Sequence, residues 1–90
     1  MKTIYKYPLA ITDEQIITMP FEARILTVQV QDGVPCLWAL VEPDWKPEPR
    51  RILTFGTGHP IPDGTAGRHV GTYQVQGGSL VFHVFEGDSS

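Results

Sequence analysis

One cysteine, Cys36, occurs among the 90 residues, so no intrachain disulfide can brace this chain. It lies in the apolar run Val34-Pro35-Cys36-Leu37-Trp38, with no local His or cluster of basic residues to activate a thiolate, and reads as a small buried hydrophobe. Positive charge is scarce. Seven Lys and Arg stand against ten Asp and Glu, a formal charge of −3. That balance excludes a basic nucleic-acid binder, because phosphate contacts need a cationic face. The negative excess is too small to imitate a phosphate array. Charged residues make up 19% of the chain and hydrophobic ones 41%, which excludes a disordered acidic tail. No apolar stretch approaches the ~20 residues of a membrane-spanning helix. Lys2 and Lys6 are followed by no apolar core before Asp13 and Glu14, so a signal peptide is not expected. Amphipathic helical periodicity is missing too. The best helical signal, the capping-box-like Thr12-Asp13-Glu14-Gln15, runs directly into the strand-like Ile16-Ile17-Thr18-Met19.

What the chain does hold favours β structure. Val, Ile and Thr number 23, joined by four Phe, three Tyr and two Trp, and punctuated by nine Gly and eight Pro. Seven short strands are expected, over about 3–7, 15–19, 24–31, 34–42, 50–56, 70–76 and 79–86. Pro8, Pro20, the stretch 43–49 and the stretch 60–67 separate them. The expected fold is all-β: a small seven-strand antiparallel sandwich or half-open barrel, in a single domain over 1–86 with a flexible tail over 87–90.

Asp32-Gly33 suits a two-residue turn with positive φ at both positions, and would pair Gln31 with Val34, Val28 with Leu37 and Thr27 with Trp38. Leu26, Val28, Val30, Leu37, Ala39 and Val41 would then share one face, and Ile25, Thr27, Gln29, Cys36, Trp38 and Leu40 the other. Gly77-Gly78 would likewise pair Tyr73 with Phe82 and Thr72 with His83. In both hairpins the second face mixes polar residues with large apolar ones, where a solvated face would carry Lys and Glu. Trp38, Leu40, Val81, His83 and Phe85 are therefore candidate interface residues. The competing reading is that both faces are covered within one closed sandwich. A domain of this length buries only about 60–65% of its unfolded surface, so a homo-oligomer is expected.

Phe55-Gly56-Thr57-Gly58-His59-Pro60 is the most unusual segment. Gly56 and Gly58 let backbone approach a ligand and expose amide donors to an anion, with Thr57 and His59 beside them. No Gly-Lys-Ser/Thr follows, so it is not a phosphate loop, and no helix follows, so it is not a dinucleotide fingerprint. The plain alternative is a tight connection closed by prolines. Arg51 could clamp an anion or could guard a strand edge. Trp45, on the proline-stiffened loop 42–49, could stack on a planar ring, anchor an interface or fold over the sheet edge. His59, His69 and His83 match no zinc spacing, so no metal and no cofactor is expected. Only His59 with Asp63 forms a local acid–base pair, and the chain is not expected to be an enzyme.

The blocks Lys2-Thr3-Ile4-Tyr5-Lys6-Tyr7, Val28-Gln29-Val30-Gln31, Leu37-Trp38-Ala39-Leu40-Val41, Gly56-Thr57-Gly58-His59-Pro60-Ile61 and Gly77-Gly78-Ser79-Leu80-Val81-Phe82-His83-Val84-Phe85-Glu86 resemble a family of short bacteriophage and prophage proteins. Phe21-Glu22 departs from the glycine-containing turn expected there. The resemblance implies a setting, the cytoplasm of a host bacterium, and no activity. In that setting the expected function is a non-enzymatic accessory protein that counters bacterial immunity by sequestering a cyclic-nucleotide or NAD-derived signal. Gly56, Thr57, Gly58, His59, Arg51 and Trp45 would form its site. The alternatives are a protein-binding inhibitor of a host defence protein or CRISPR effector, and a minor virion structural or assembly protein.

Overall fold

A computed structural model describes residues 1–88. Seven strands follow one another: β1 (Thr3–Pro8), β2 (Glu14–Pro20), β3 (Arg24–Gln31), β4 (Val34–Val41), β5 (Pro47–Gly56), β6 (Ala66–Val75) and β7 (Leu80–Gly87). All pairings are antiparallel. They form two sheets, a three-stranded one in the order β1-β4-β3 and a four-stranded one in the order β2-β5-β7-β6. The fold is an open sandwich and not a closed barrel. Of the tail expected over 87–90, Gly87 pairs with Ala66, Asp88 follows the strand, and Ser89 and Ser90 lie outside the described residues.

The two hairpins take the register that their turn residues dictate. Gln31 faces Val34, Val28 faces Leu37 and Thr27 faces Trp38. Asp32 and Gly33 both have positive φ, 51° and 79°, as a primed turn requires. Tyr73 faces Phe82 and Thr72 faces His83, and the Ser79 amide donates to the Gln76 carbonyl to close the second turn. The expected faces of the first hairpin need one correction. A register shift between Ile25 and Thr27 makes Leu26 an extra residue, and past such a bulge the alternation inverts. Ile25, expected beside Trp38, is instead buried in the core, while Leu26, expected there, is exposed. Val30 is exposed as well, near the end of its strand.

Two strands begin earlier than expected. β5 takes in Pro47 and Pro49, which looked like separators. The Thr54 amide donates to the Asp13 carbonyl, so alternation puts Asp13, Gln15, Ile17 and Met19 in hydrogen-bonded pairs with Thr54, Ile52, Arg50 and Glu48. Pro47 and Pro49 fall between those pairs. Their missing N–H groups would point away from β2, toward a flank that β7 reaches only at Ile52. β6 starts at Ala66 because two register shifts, between Ala66 and Arg68 and between His69 and Gly71, let it bend along β7.

The core lies between the sheets. Leu37, Ala39 and Val41 of β4 and Ile25 and Val28 of β3 meet Met19, Ile52, Tyr73 and Val84 of the other sheet. Cys36 is buried, as its apolar run implies. On one side β3 and β6 close the sandwich. The Arg68 guanidinium donates to the Ile25 carbonyl at 2.8 Å, and Gly71 lies directly over Val28. A Cβ at Gly71 would fall 2.8 Å from Val28 Cγ1 and 3.4 Å from its backbone nitrogen. Gly71→Ala is therefore expected to destabilise the fold by about 1–3 kcal/mol, the usual cost of overpacking. A lower denaturant midpoint at unchanged m-value checks it, and an unchanged midpoint refutes it.

Candidate functional site

The candidate ligand residues do not converge. Trp45 precedes β5 and Gly56 ends it, so the strand rise alone sets the two about 30 Å apart. Arg51 lies between them on the outer face of the four-stranded sheet, where Glu14 engages it. Arg51 Nε donates to Glu14 Oε2 at 2.6 Å.

Two amides of the Gly56–His59 turn are engaged internally. The Thr57 N–H donates to the Val81 carbonyl and the His59 N–H to the Gly56 carbonyl, so neither is left for an anion. Gly58 supplies the left-handed φ of 86°. His59 folds back on Gly56, where a Cβ would meet the imidazole at 3.2 Å. Gly56 and His59 line a pocket of about 80 Å³ with Ile11, Thr12, Asp13, Thr54 and Phe82. The buried Thr54 hydroxyl has no hydrogen-bond partner among the described residues. At about 30 Å³ per molecule, the pocket has room for ordered water.

Thr57 turns to the other face and begins a chain of hydrogen bonds. Its Oγ1 lies 2.7 Å from His83 Nε2, His83 Nδ1 lies 3.0 Å from Thr72 Oγ1, and Thr72 Oγ1 lies 3.2 Å from His69 Nε2. Phe85 packs edge-on to His69 at 5.1 Å and to Phe55 at 6.0 Å, measured between ring centroids. The interface candidates thus separate. Val81, His83 and Phe85 share this outer face, since Val84 between them faces the core. Trp38 and Leu40 lie on the outer face of the three-stranded sheet, since Leu37, Ala39 and Val41 face the core. There the Lys6 ammonium sits 5.8 Å from the Trp38 ring centre and donates to Gln31. Trp38 and Phe85 therefore do not form one patch.

Trp45 has a partner that sequence reasoning missed. Phe21 stands beside it, with ring centroids 6.2 Å apart and planes tilted by 35°. Both rings are nearly half exposed. They line an open cleft of about 410 Å³ with Lys46. A smaller depression beyond Trp45 is bordered by Lys2, Arg24, Glu22 and Glu42. Phe21 is held by a strained turn. The Ala23 N–H donates to the Pro20 carbonyl and the Phe21 N–H to the Lys46 carbonyl, while Glu22 takes a left-handed φ of 60°. Glu22 is thus the non-glycine at a turn where glycine was expected, and that departure was the available signal.

Arg50 buttresses this turn. Its guanidinium forms a fork with the Glu86 carboxylate, donates to the Ala23 carbonyl at 2.7 Å and lies 3.5 Å from Glu48. Glu48 in turn accepts the Glu22 N–H at 3.3 Å. Another open groove, about 370 Å³ along Gly64–Arg68 and Glu86–Asp88, carries two carboxylates and suits an anion poorly. Among the described residues no cluster of His, Cys, Asp and Glu could hold a metal ion.

The hydrogen bond from Arg51, aided by its charge and opposed by some desolvation, holds the Glu14 carboxyl below the usual glutamate range. A depressed carboxyl adds stability above its ordinary value and loses it as pH falls through the depressed one. Arg51→Gln is expected to move the Glu14 titration midpoint up to the ordinary range, read by carboxyl NMR. A midpoint that stays in place would show that the ion pair is not formed in solution.

Compared with known proteins, residues 1–90 match the model of one family, described as a domain of unknown function (DUF7352). No curated protein and no solved structure matches.

Proposed function

We propose that this chain, which belongs to the DUF7352 family, is a non-enzymatic binding protein that holds a planar, anionic, nucleotide-derived ligand in the cleft lined by Phe21, Trp45 and Lys46. The observation that carries this reading is the pair of half-exposed rings, packed together at 6.2 Å beside a strained turn, which line an open cleft with Lys46. Aromatic faces accept a base by stacking, and the cation beside them offers a counter-charge to a phosphate. The nearby Lys2 and Arg24 are balanced by Glu22 and Glu42, which fits a ligand of low charge. The candidate residue Trp45 stays in the site. Gly56, Thr57, Gly58, His59 and Arg51 leave it, because they lie along β5 or past its far end, with Arg51 engaged by Glu14. The resemblance to phage proteins gives the setting: a product made in the cytoplasm of a bacterium, which withdraws an immune signal by storing it. Storage needs affinity and no reaction.

Titration against cyclic dinucleotides and cyclic ADP-ribose isomers tests this reading. One of them is expected to quench Trp45 fluorescence and to be recovered unchanged on denaturation. Phe21→Ala and Trp45→Ala should each weaken binding by about 5- to 150-fold, the span of about 1–3 kcal/mol per stacked base. No binding by any of the panel, at protein concentrations well above micromolar, would remove the proposal.

A second reading, an inhibitor that binds a host defence protein, is favoured by the outer face of the four-stranded sheet. There the Thr57–His83–Thr72–His69 chain and the rings of Phe55 and Phe85 form a polar and aromatic patch on the face that also bears the Arg51–Glu14 pair. On this reading Phe85→Arg abolishes capture of that protein and leaves ligand titration unchanged. Capture that survives Phe85→Arg would exclude this face.

A further inference from the structure

The two sheets have four edges, and three of them are blunted. β3 and β6 cover one another, through Arg68 on the Ile25 carbonyl and Gly71 against Val28, and both carry register shifts. β1 carries Lys6 in mid-strand. These are the devices by which sheet edges avoid pairing with other chains. β2 has none of them between its ends. It pairs with β5 in unbroken register from Glu14 to Pro20, and Gln15-Ile16-Ile17-Thr18-Met19 is uncharged and rich in β-branched residues. Its outer-face side chains Ile16 and Thr18 are exposed.

The alternation fixed by the Thr54 amide on the Asp13 carbonyl turns the N–H and C=O groups of Gln15, Ile17 and Met19 toward β5. The N–H and C=O groups of Glu14, Ile16 and Thr18 point out of the sheet, and among the described residues β2 has no strand on that side.

We propose that β2 pairs with β2 of a second copy, antiparallel, about a two-fold axis at Ile16, joining two four-stranded sheets into one continuous sheet. This register is self-complementary. It sets Ile16 opposite the partner's Ile16 and Glu14 opposite the partner's Thr18, so every outward backbone group of Glu14, Ile16 and Thr18 finds a partner and no like charges face each other. Moving the axis to Ile17 would set Glu14 opposite the partner's Pro20, which has no N–H to offer the Glu14 carbonyl. A second copy fits better than an unrelated strand because the axis makes both halves satisfy each other at once, and the assembly closes at two. The proposal does not depend on the ligand cleft, which lies beyond the Pro20 end of β2.

Light scattering and sedimentation at about 100 µM, where a pair with a Kd below that value is mostly formed, test it. The wild-type chain is expected at twice its 10.0 kDa monomer mass. Ile16→Pro deletes an N–H that bonds nothing within the monomer, and Ile16→Lys sets two ammonium groups across the axis. Both variants are expected at the monomer mass with a wild-type far-UV spectrum. Should Ile16→Pro lose that spectrum, Ile16→Lys decides the matter, because its side chain is exposed. A monomeric wild type overturns the proposal, and so does a dimer that survives Ile16→Lys.

Discussion

The guanidinium of Arg50 joins parts of the molecule that local structure cannot join. It projects from β5 on the inward face of the four-stranded sheet, where its fork with Glu86 ties β5 to β7. Its third nitrogen, Nη1, donates to the Ala23 carbonyl, in the turn by which the chain leaves that sheet for the other. Arg suits the position because its planar fork satisfies a carboxylate and a carbonyl together, which a lysine ammonium would do less well. The same turn bears Phe21, so the ion pair that knits the sandwich also fixes one wall of the cleft. Glu22 keeps its left-handed backbone because Pro20, Lys46 and Glu48 all hydrogen-bond to the residues around it.

β5 organises the rest by its length. Ten residues long, it separates the Trp45 end from the His59 end by the full height of the sandwich. The two prolines that looked like loop residues are admitted because their nitrogens face a flank without a hydrogen-bonded neighbour. The molecule therefore has distinct surfaces: an aromatic cleft at one end, a small pocket at the other, a histidine–threonine row on one outer face and Trp38 under Lys6 on the opposite one. A reading that gathers all the unusual residues into one site fails because a strand carries its residues apart at a fixed rise.

Much of the architecture was legible in the residues. Period-two alternation, Asp32-Gly33 and Gly77-Gly78 gave the strands, the hairpins and their registers, because each rests on steric rules that act within a few residues. Cys36 announced its burial through its neighbours, and His83 beside Thr72 followed from the hairpin register. The bulge at Leu26 was not legible. Ile25 and Leu26 are equally apolar, and which one enters the core depends on how β3 meets β4 and β6.

The chain alone thus settled the all-β class, the number of strands and the partners across each tight turn, since hard-sphere limits on φ and side-chain alternation are local. The pairing of β1 with β4 and of β2 with β5, the sorting of strands between two sheets and the meeting of Phe21 with Trp45 required the folded molecule. Those contacts join residues far apart in sequence, and many pairings satisfy the same local pattern. Packing between the sheets, with the fork of Arg50 on Glu86 and Ala23, selects one of them.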